Sequence, residues 1–378
     1  MRKFISIIVF TALIFLNACE IPVDNITDNG KEFEYIGEED EIFDTYVSPY
    51  SDLEEDEYAE MEEEREDEDG EEDKEEKNHE EIQDQELSEY ENEYVRITAY
   101  YRDSDNTVVP VTRKIKRQEG IARAVVESMI KNDENDDALK PYKLCALLPE
   151  GTEILGMNIK DSTVIVDFNE KFLEYEDKTE EVNAISSIVY SLTEFNNIND
   201  VKILVEGREK DILKYGTDIS GLLNRKNVLI NSKRLNVEDK VEKVDVYLYK
   251  NEGGEIDYLV PMSFEYIGLS REEICSEIVR LLGRNYDDKK MFSCLPPGVS
   301  LIDSKLEENT LILNFNGEIR NYGGSSREEA ILNQILYSMK QFEGVEKVKI
   351  IIEGKEGKLP EGTDTSRGIP ILNKINEV

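Results

Sequence analysis

Histidine is nearly missing from this 378-residue chain: His79 is its one example, and it lies inside an acidic run. Imidazole is the side chain that titrates near neutral pH and the commonest nitrogen ligand for metals, so the shortage removes histidine-based acid/base pairs and most zinc sites. Cysteine is scarce as well. Cys19, Cys145, Cys275 and Cys294 show no Cys-x-x-Cys spacing. In an exported chain Cys275 could join Cys294, but buried free thiols are the plainer reading. Positive charge is the third shortage, with 45 basic against 85 acidic residues and a net charge of −40. Nothing supplies the basic patch that neutralising phosphates requires, which argues against nucleic-acid binding. No Gly-x-Ser-x-Gly elbow, phosphate-binding loop or histidine-containing triad occurs, and no nucleophile is accompanied by a base. No catalytic residue, cofactor or bound metal is expected.

The acidic excess is unevenly spread. Residues 31–94 hold 32 acidic and 4 basic side chains, whereas residues 95–378 hold 50 and 39. A stretch like residues 20–94, with little periodicity, cannot bury enough apolar surface to offset the entropy of ordering, and its like charges extend it. It reads as an acidic disordered spacer, with a calcium buffer or a docking strip for a basic partner as the sharper alternative. Upstream, Arg2 and Lys3 precede an apolar run from Phe4 to Phe15 that is short for a membrane span and right for a signal-peptide core. The run ends in Leu16-Asn17-Ala18-Cys19, which resembles the bacterial lipobox, whose cysteine is acylated and becomes the mature N-terminus. Residues 1–19 are thus expected to be a lipoprotein signal peptide. Cys19 is the expected lipidation site, tethering the chain to the extracytoplasmic face of the cell membrane.

The remainder is written twice. Leu148-Pro149-Glu150-Gly151 and Leu295-Pro296-Pro297-Gly298 lie 147 residues apart, and the same offset pairs Phe168 with Phe315, Tyr190 with Tyr337, Ser191 with Ser338, Glu206 with Glu353 and Gly207 with Gly354. Identities that hold one register without a gap imply a duplicated unit. Two domains follow, over 95–235 and 244–378, with a short polar linker at 236–243. Cys294 aligns with Leu147, so Cys145 and Cys294 do not share a role by symmetry.

Within each unit Val95–Tyr101 and Val244–Tyr249 alternate as half-buried strands, followed by Thr107–Val111 and Tyr258–Pro261, where Pro110 marks an edge or a strand end. Helices are expected over 118–131 and 271–282. Hairpins pair Ile154–Ile159 with Thr163–Phe168, and Ser300–Lys305 with Thr310–Phe315. An apolar stripe of Ala184, Ile185, Ile188, Val189, Leu192 and Phe195, repeated by Ile331, Leu332, Ile335, Leu336, Met339 and Phe342, predicts a helix lying on a sheet. Closing strands fall at 199–206 and 346–353. The fold class is α+β: two tandem repeats of a small sheet with helices packed on one face. The apolar ends of the tails, near 228–230 and 369–372, are expected to pack back on their own unit.

Few residues stand out as candidates for chemistry. Asp167 is matched by Asn314, so the repeats share no acid there. Asn169 and Asn316 suit side-chain to backbone turn bonds. Glu206 and Glu353 end strands before a glycine, where a carboxylate caps a turn, meets solvent or serves an interface. Tyr190 and Tyr337 sit beside the helix stripe, with rings suited to burial and hydroxyls at a rim, or to an interface.

The Leu-Pro-x-Gly turn, the strand ends Val166–Asn169 and Leu313–Asn316, the Tyr-Ser helix ends at 190 and 337, and the closing Val-x-Ile-x-x-Glu-Gly run resemble the GerMN domains of the GerM-like sporulation and germination lipoproteins. The resemblance covers both repeats. It implies a fold similar to the ring-building modules of secretion systems, and a non-enzymatic role supporting assembly of an envelope-spanning channel between mother cell and forespore. The partners it implies are sporulation channel and envelope proteins. Lipoproteins with single domains of this kind also serve outside sporulation as accessories to envelope signalling, and the long acidic spacer departs from the family layout. Two function classes therefore stand: an assembly scaffold working through sheet edges and helix faces, and a ligand-binding envelope lipoprotein with a cleft between the repeats for a wall fragment or a cation. A scaffold calls for filled cores, a ligand site for a concavity of a few hundred cubic ångströms with converging polar groups. Because the spacer reads as uncoupled from the fold, a chain lacking it should show the same cooperative thermal transition as the full chain. A transition that shifts or broadens on deletion would place the spacer inside the folded unit.

Overall fold

The structure, a computed structural model, describes residues 93–232, 241–252, 256–284, 286, 290–371 and 373–378. The expected signal peptide, Cys19, the spacer up to residue 92 and most of the expected linker lie outside these residues. The first repeat runs β1 (Tyr94–Asp103), β2 (Val108–Lys116), α1 (Ile121–Glu127), α2 (Asp133–Leu139), β3 (Leu144–Cys145), β4 (Ile154–Lys160), β5 (Thr163–Phe168), α3 (Lys178–Leu192), β6 (Asp200–Val205) and β7 (Arg208–Glu209). The second runs β8 (Glu242–Glu252), β9 (Ile256–Tyr266), α4 (Arg271–Leu282), β10 (Met291–Phe292), β11 (Leu301–Glu307), β12 (Thr310–Phe315), α5 (Ser325–Met339), β13 (Lys347–Ile352) and β14 (Ile369–Pro370).

The class is α+β as expected, and the structure adds that each repeat divides its strands between two sheets. The long hairpins give three-stranded sheets ordered β2-β1-β3 and β10-β8-β9, while the short hairpins and closing strands give four-stranded sheets ordered β4-β5-β6-β7 and β11-β12-β13-β14. β5 and β6 run parallel, as do β12 and β13, because α3 and α5 return the chain to the same end of the sheet. The Asp161-Ser162 turn holds both residues at positive φ, the twist that a two-residue hairpin favours.

α3 starts at Asp177, whose carboxylate accepts from the Glu180 N–H, and it packs against β1 and β2 of one sheet and β6 of the other. Burial from Asn183 to Leu192 is consequently unbroken rather than confined to a stripe. Each aliphatic side chain sealed there, such as Ile188 or Val189, contributes about 1.5–3 kcal/mol relative to exposure. Ser191 fits this tight site because its hydroxyl accepts the Tyr100 N–H at 2.9 Å, and Ser338 accepts the Tyr247 N–H at 2.9 Å in the same way.

One expected helix is shorter. The predicted 118–131 helix covers only α1, and the chain then forms α2, capped by Asn132, whose side chain accepts from the Asn135 N–H. Asp133, Glu134 and Asp136 favour a helix N-terminus there. Cys145, Cys275 and Cys294 are free thiols, and burial pushes Cys275 up to about 11.

β2 and β9 are edge strands, each with a proline inside it: Pro110 opposite Tyr100, and Pro261 opposite Tyr247. A proline has no N–H to offer, so two such edges cannot pair directly. Two asparagine side chains join them instead. Asn231 accepts the Val108 N–H at 2.7 Å and donates to the carbonyls of Val108 and Pro261, both at 2.8 Å. Asn376 accepts the Leu259 N–H at 2.9 Å and donates to the carbonyls of Leu259 and Pro110 at 2.8 and 2.7 Å. The tails cross as they do this: Ile230 bonds to Ser263 of the second repeat, and Ile375 bonds to Thr112 of the first. The tail ends therefore do not pack only on their own unit, although β14 does pair with β13.

Asn231→Ala and Asn376→Ala should each destabilise the chain by about 2 kcal/mol in denaturant unfolding, because each leaves backbone groups of both edge strands without partners. Both asparagines sit at positive φ, 53° and 47°. Glycine at either position relieves that backbone constraint and should remain destabilised, since the lost amide is the larger part.

Candidate functional site

Polar and charged groups that composition alone would place on the surface converge where the repeats meet. The Tyr190 hydroxyl, on α3, donates to Asp245 Oδ2 of β8 at 2.6 Å, the Lys243 ammonium lies 2.8 Å from the same oxygen, and the Ser263 hydroxyl donates to Oδ1 at 2.6 Å. Lys243 also stands over the Tyr190 ring, 5.1 Å from its centre. Burial lowers the Lys243 ammonium from its ordinary value, with Asp245 opposing that effect in part. Burial, followed by the Asp245 charge, holds the Tyr190 phenol well above its usual range, so it stays a neutral donor.

A second group surrounds Glu194. Arg225 reaches its Oε1 at 2.5 Å, Tyr100 donates to the same oxygen at 2.8 Å, and Lys340 from the other repeat approaches Oε2 at 3.2 Å. Burial by itself raises this carboxyl, but the two cations outweigh it and bring the value down to about 2. A third group joins Asp103, Asp105 and Glu252, three carboxylates with oxygens within 4.8 Å of one another. Divalent cations suit such a set. Here the Lys250 ammonium fills that place, paired with Asp103, 3.0 Å from Asp105 and 3.2 Å from Glu252. Burial lowers Lys250, yet the carboxylates prevail and its value is raised.

These clusters match the profile of a catalytic centre in having buried titratable groups. They differ in that each charged group has a partner of opposite charge in direct contact, and neither of two surface concavities, about 260 and about 310 Å³, lies between the repeats. The first borders α3 and the tail at Leu222 and Leu229, the second borders α5 and β10. The junction's chemistry is cohesion.

The residues singled out from sequence are scattered. Tyr190 is buried in the junction, and Tyr337 donates its hydroxyl to the Lys374 carbonyl beside Tyr247. Glu206 and Glu353 sit at left-handed turns, φ 54° and 52°, and Glu206 accepts the Glu170 N–H at 3.0 Å. Asp167 and Asn314 share a task despite differing in charge: each accepts a glycine N–H, from Gly207 and Gly354, at 2.9 Å. Asn169 and Asn316 make the expected turn bonds, donating to Gly151 and Gly298 carbonyls. Cys19 is outside the described residues.

Two buried glutamates escaped the sequence reading. Glu181 accepts from the Tyr215 and Thr217 N–H groups and the Thr217 hydroxyl, and Glu328 accepts from the Glu361 and Thr363 N–H groups and the Tyr322 hydroxyl. Each pins its tail to the first turn of its long helix. They lie 147 residues apart, so their identity at that offset was the available signal.

The depressed Glu194 value has a sign for stability. Its contribution is complete above the unfolded carboxyl value of about 4.3 and is lost as pH falls through about 2. Urea unfolding from pH 6 down to about 2 should show the wild type losing more stability than Glu194→Gln, whose curve lacks this component.

Comparison with known proteins bears on both repeats. The family model described as "Germane: Sporulation and spore germination" matches residues 98–211 and 245–358. The chain is 27% identical over 266 residues to the spore germination protein GerM of Bacillus subtilis (strain 168), spanning 68% of this chain and 71% of that protein. The solved tandem GerMN domains of the sporulation protein GerM from Bacillus subtilis superpose with a TM-score of 0.66 at 24% identity, over 75% of this chain and 99% of that one. With the family model matched over more than half of its length, in two copies that coincide with the two folded repeats, this chain belongs to the Germane family of sporulation and spore germination proteins.

Proposed function

We propose that the protein is a non-enzymatic lipoprotein, anchored through Cys19 on the extracytoplasmic face of the cell membrane, that supports assembly of an envelope-spanning complex in sporulation or germination. Family membership supports the process, and one structural observation supports the mode of action. β4 and β11 are equivalent outer edge strands, each interrupted by a bulge that turns Leu155 or Ile302 to solvent, 47% and 55% exposed. An edge strand carries N–H and C=O groups able to receive a partner's strand, and a bulge aims a side chain while discouraging indiscriminate pairing. Two such edges on one block give two attachment points. In sporulating cells the place of action is the space between the mother-cell and forespore membranes. The alternative, a ligand-binding or signalling accessory lipoprotein, draws support from the concavity beside α5 in the second repeat.

Affinity capture of the full-length protein from membranes of sporulating cells tests this. Channel components should be recovered, and recovery should fall at least about tenfold with the Leu155→Asp/Ile302→Asp pair, whose side chains are already exposed. Capture that lacks channel components with the wild-type chain overturns the assembly reading.

A further inference from the structure

The two repeats differ most tellingly at one place, between the start of the long helix and the first hairpin. In the first repeat Asn183 of α3 donates to the Asn106 carbonyl at 2.8 Å and ties the helix to the β1–β2 turn. Beside it, Arg102 pairs with Cys145 across β1 and β3 and reaches Asn106 Oδ1 with its guanidinium at 3.2 Å. In the second repeat the offset of 147 puts Ala330 where Asn183 stands and Tyr249 where Arg102 stands. A methyl group cannot span that gap. The concavity of about 310 Å³ opens there, lined by Ala330, Tyr249, Phe292, Asp257, Glu329 and Asn333 among others.

The lining has a definite chemistry. Tyr249 and Phe292, cross-strand neighbours on β8 and β10, stack with ring centres 5.8 Å apart, and Phe292 stays 38% exposed. Asp257 and Glu329 add two carboxylates; none of the described lining residues is basic, and Arg327 at the rim is turned to the Cys294 carbonyl, to which it donates at 3.1 Å. Burial pushes the Tyr249 phenol up to about 12, so the aromatic wall is neutral. A flat cation that lies on an aromatic face and forks its N–H groups to carboxylates satisfies all of this, and a guanidinium does so better than an ammonium. At the positions of Tyr249 and Ala330 the first repeat carries an arginine and an amide, both bonded to Asn106.

We propose that this concavity is a binding site for an arginine side chain presented by a peptide segment of a partner protein. The site takes from outside the guanidinium that the first repeat supplies from within. It is independent of the assembly reading, because binding is measured on the purified chain without channel components.

The probe is the blocked tripeptide acetyl-Gly-Arg-Gly-amide, titrated into the full chain and followed by amide chemical shifts. Saturable shifts should appear at 329–333 and at Phe292, with the lysine counterpart weaker by about fivefold or more. Asp257→Asn/Glu329→Gln should weaken binding about tenfold or more. Ala330→Asn, which puts into the concavity the amide that the first repeat carries at this position, should abolish it while leaving the melting temperature unchanged or nearly so. Absence of saturable shifts, equal binding of the lysine peptide, or undiminished binding by either variant overturns the proposal. Protection of the half-buried Cys294 thiol from maleimide by the arginine peptide, in a Cys145→Ser background, gives a second readout at the same site.

Discussion

A proline inside each facing edge strand governs how the two halves of this molecule meet. Pro110 and Pro261 each lack the donor that direct strand pairing requires, and the resulting mismatch is bridged by asparagine amides that both donate and accept. An asparagine is suited to the position twice over, since it tolerates left-handed backbone and its side chain imitates a peptide group. The bridging residues come from the tails, so neither tail can seat without the other repeat in place. Repeat-to-repeat contact and tail order are thereby a single event.

Around that seam the backbone contacts are symmetric and the charges are not. Ser191 and Ser338, Asp167 and Asn314, and Glu181 and Glu328 each do in one repeat what their counterparts do in the other. Asp245, by contrast, stands where the first repeat has Thr98, which meets Thr112 at 2.8 Å, and Lys250 stands where it has Asp103. A buried ion pair adds little over a well-packed apolar pair, but either member alone is destabilising by several kcal/mol. Lys250 and Asp103, equivalent in the two repeats and opposite in charge, pair the second repeat with the first. A double-mutant cycle on Lys250 and Asp103 measures that coupling.

The consequence for function is that the interior is occupied by cohesion, and what remains for recognition is the outside. Equivalent bulged edges at β4 and β11 are present in both repeats, whereas the concavity beside α5 is present where Ala330 has replaced the bridging amide. Duplication supplied a second frame of the same shape, and substitutions at a few positions made its surface different.

The duplication, the order of the main elements, the Asn169 and Asn316 turn bonds and the edge position of Pro110 were legible in the letters, because periodicity, turn chemistry and identity at one offset are local or additive signals; the shared task of Asp167 and Asn314 was not, since their charges differ. The helix at 178–192 was legible as a stripe but not as a rod sealed on nearly every side, since a second sheet over its outer face is a tertiary fact. Lys243, Asp245, Arg225 and Lys250 passed unnoticed for a related reason: a charged letter within an alternating strand or a tail looks solvated until its counter-charge is brought to it from a distant segment. Asn231 and Asn376 were two asparagines among many until the chain brought two proline-bearing edges to face each other. Sequence by itself determined the two modules and their local geometry; only the tertiary structure decided how they join and where a gap is left, because those depend on which unpaired backbone groups and charges end up side by side.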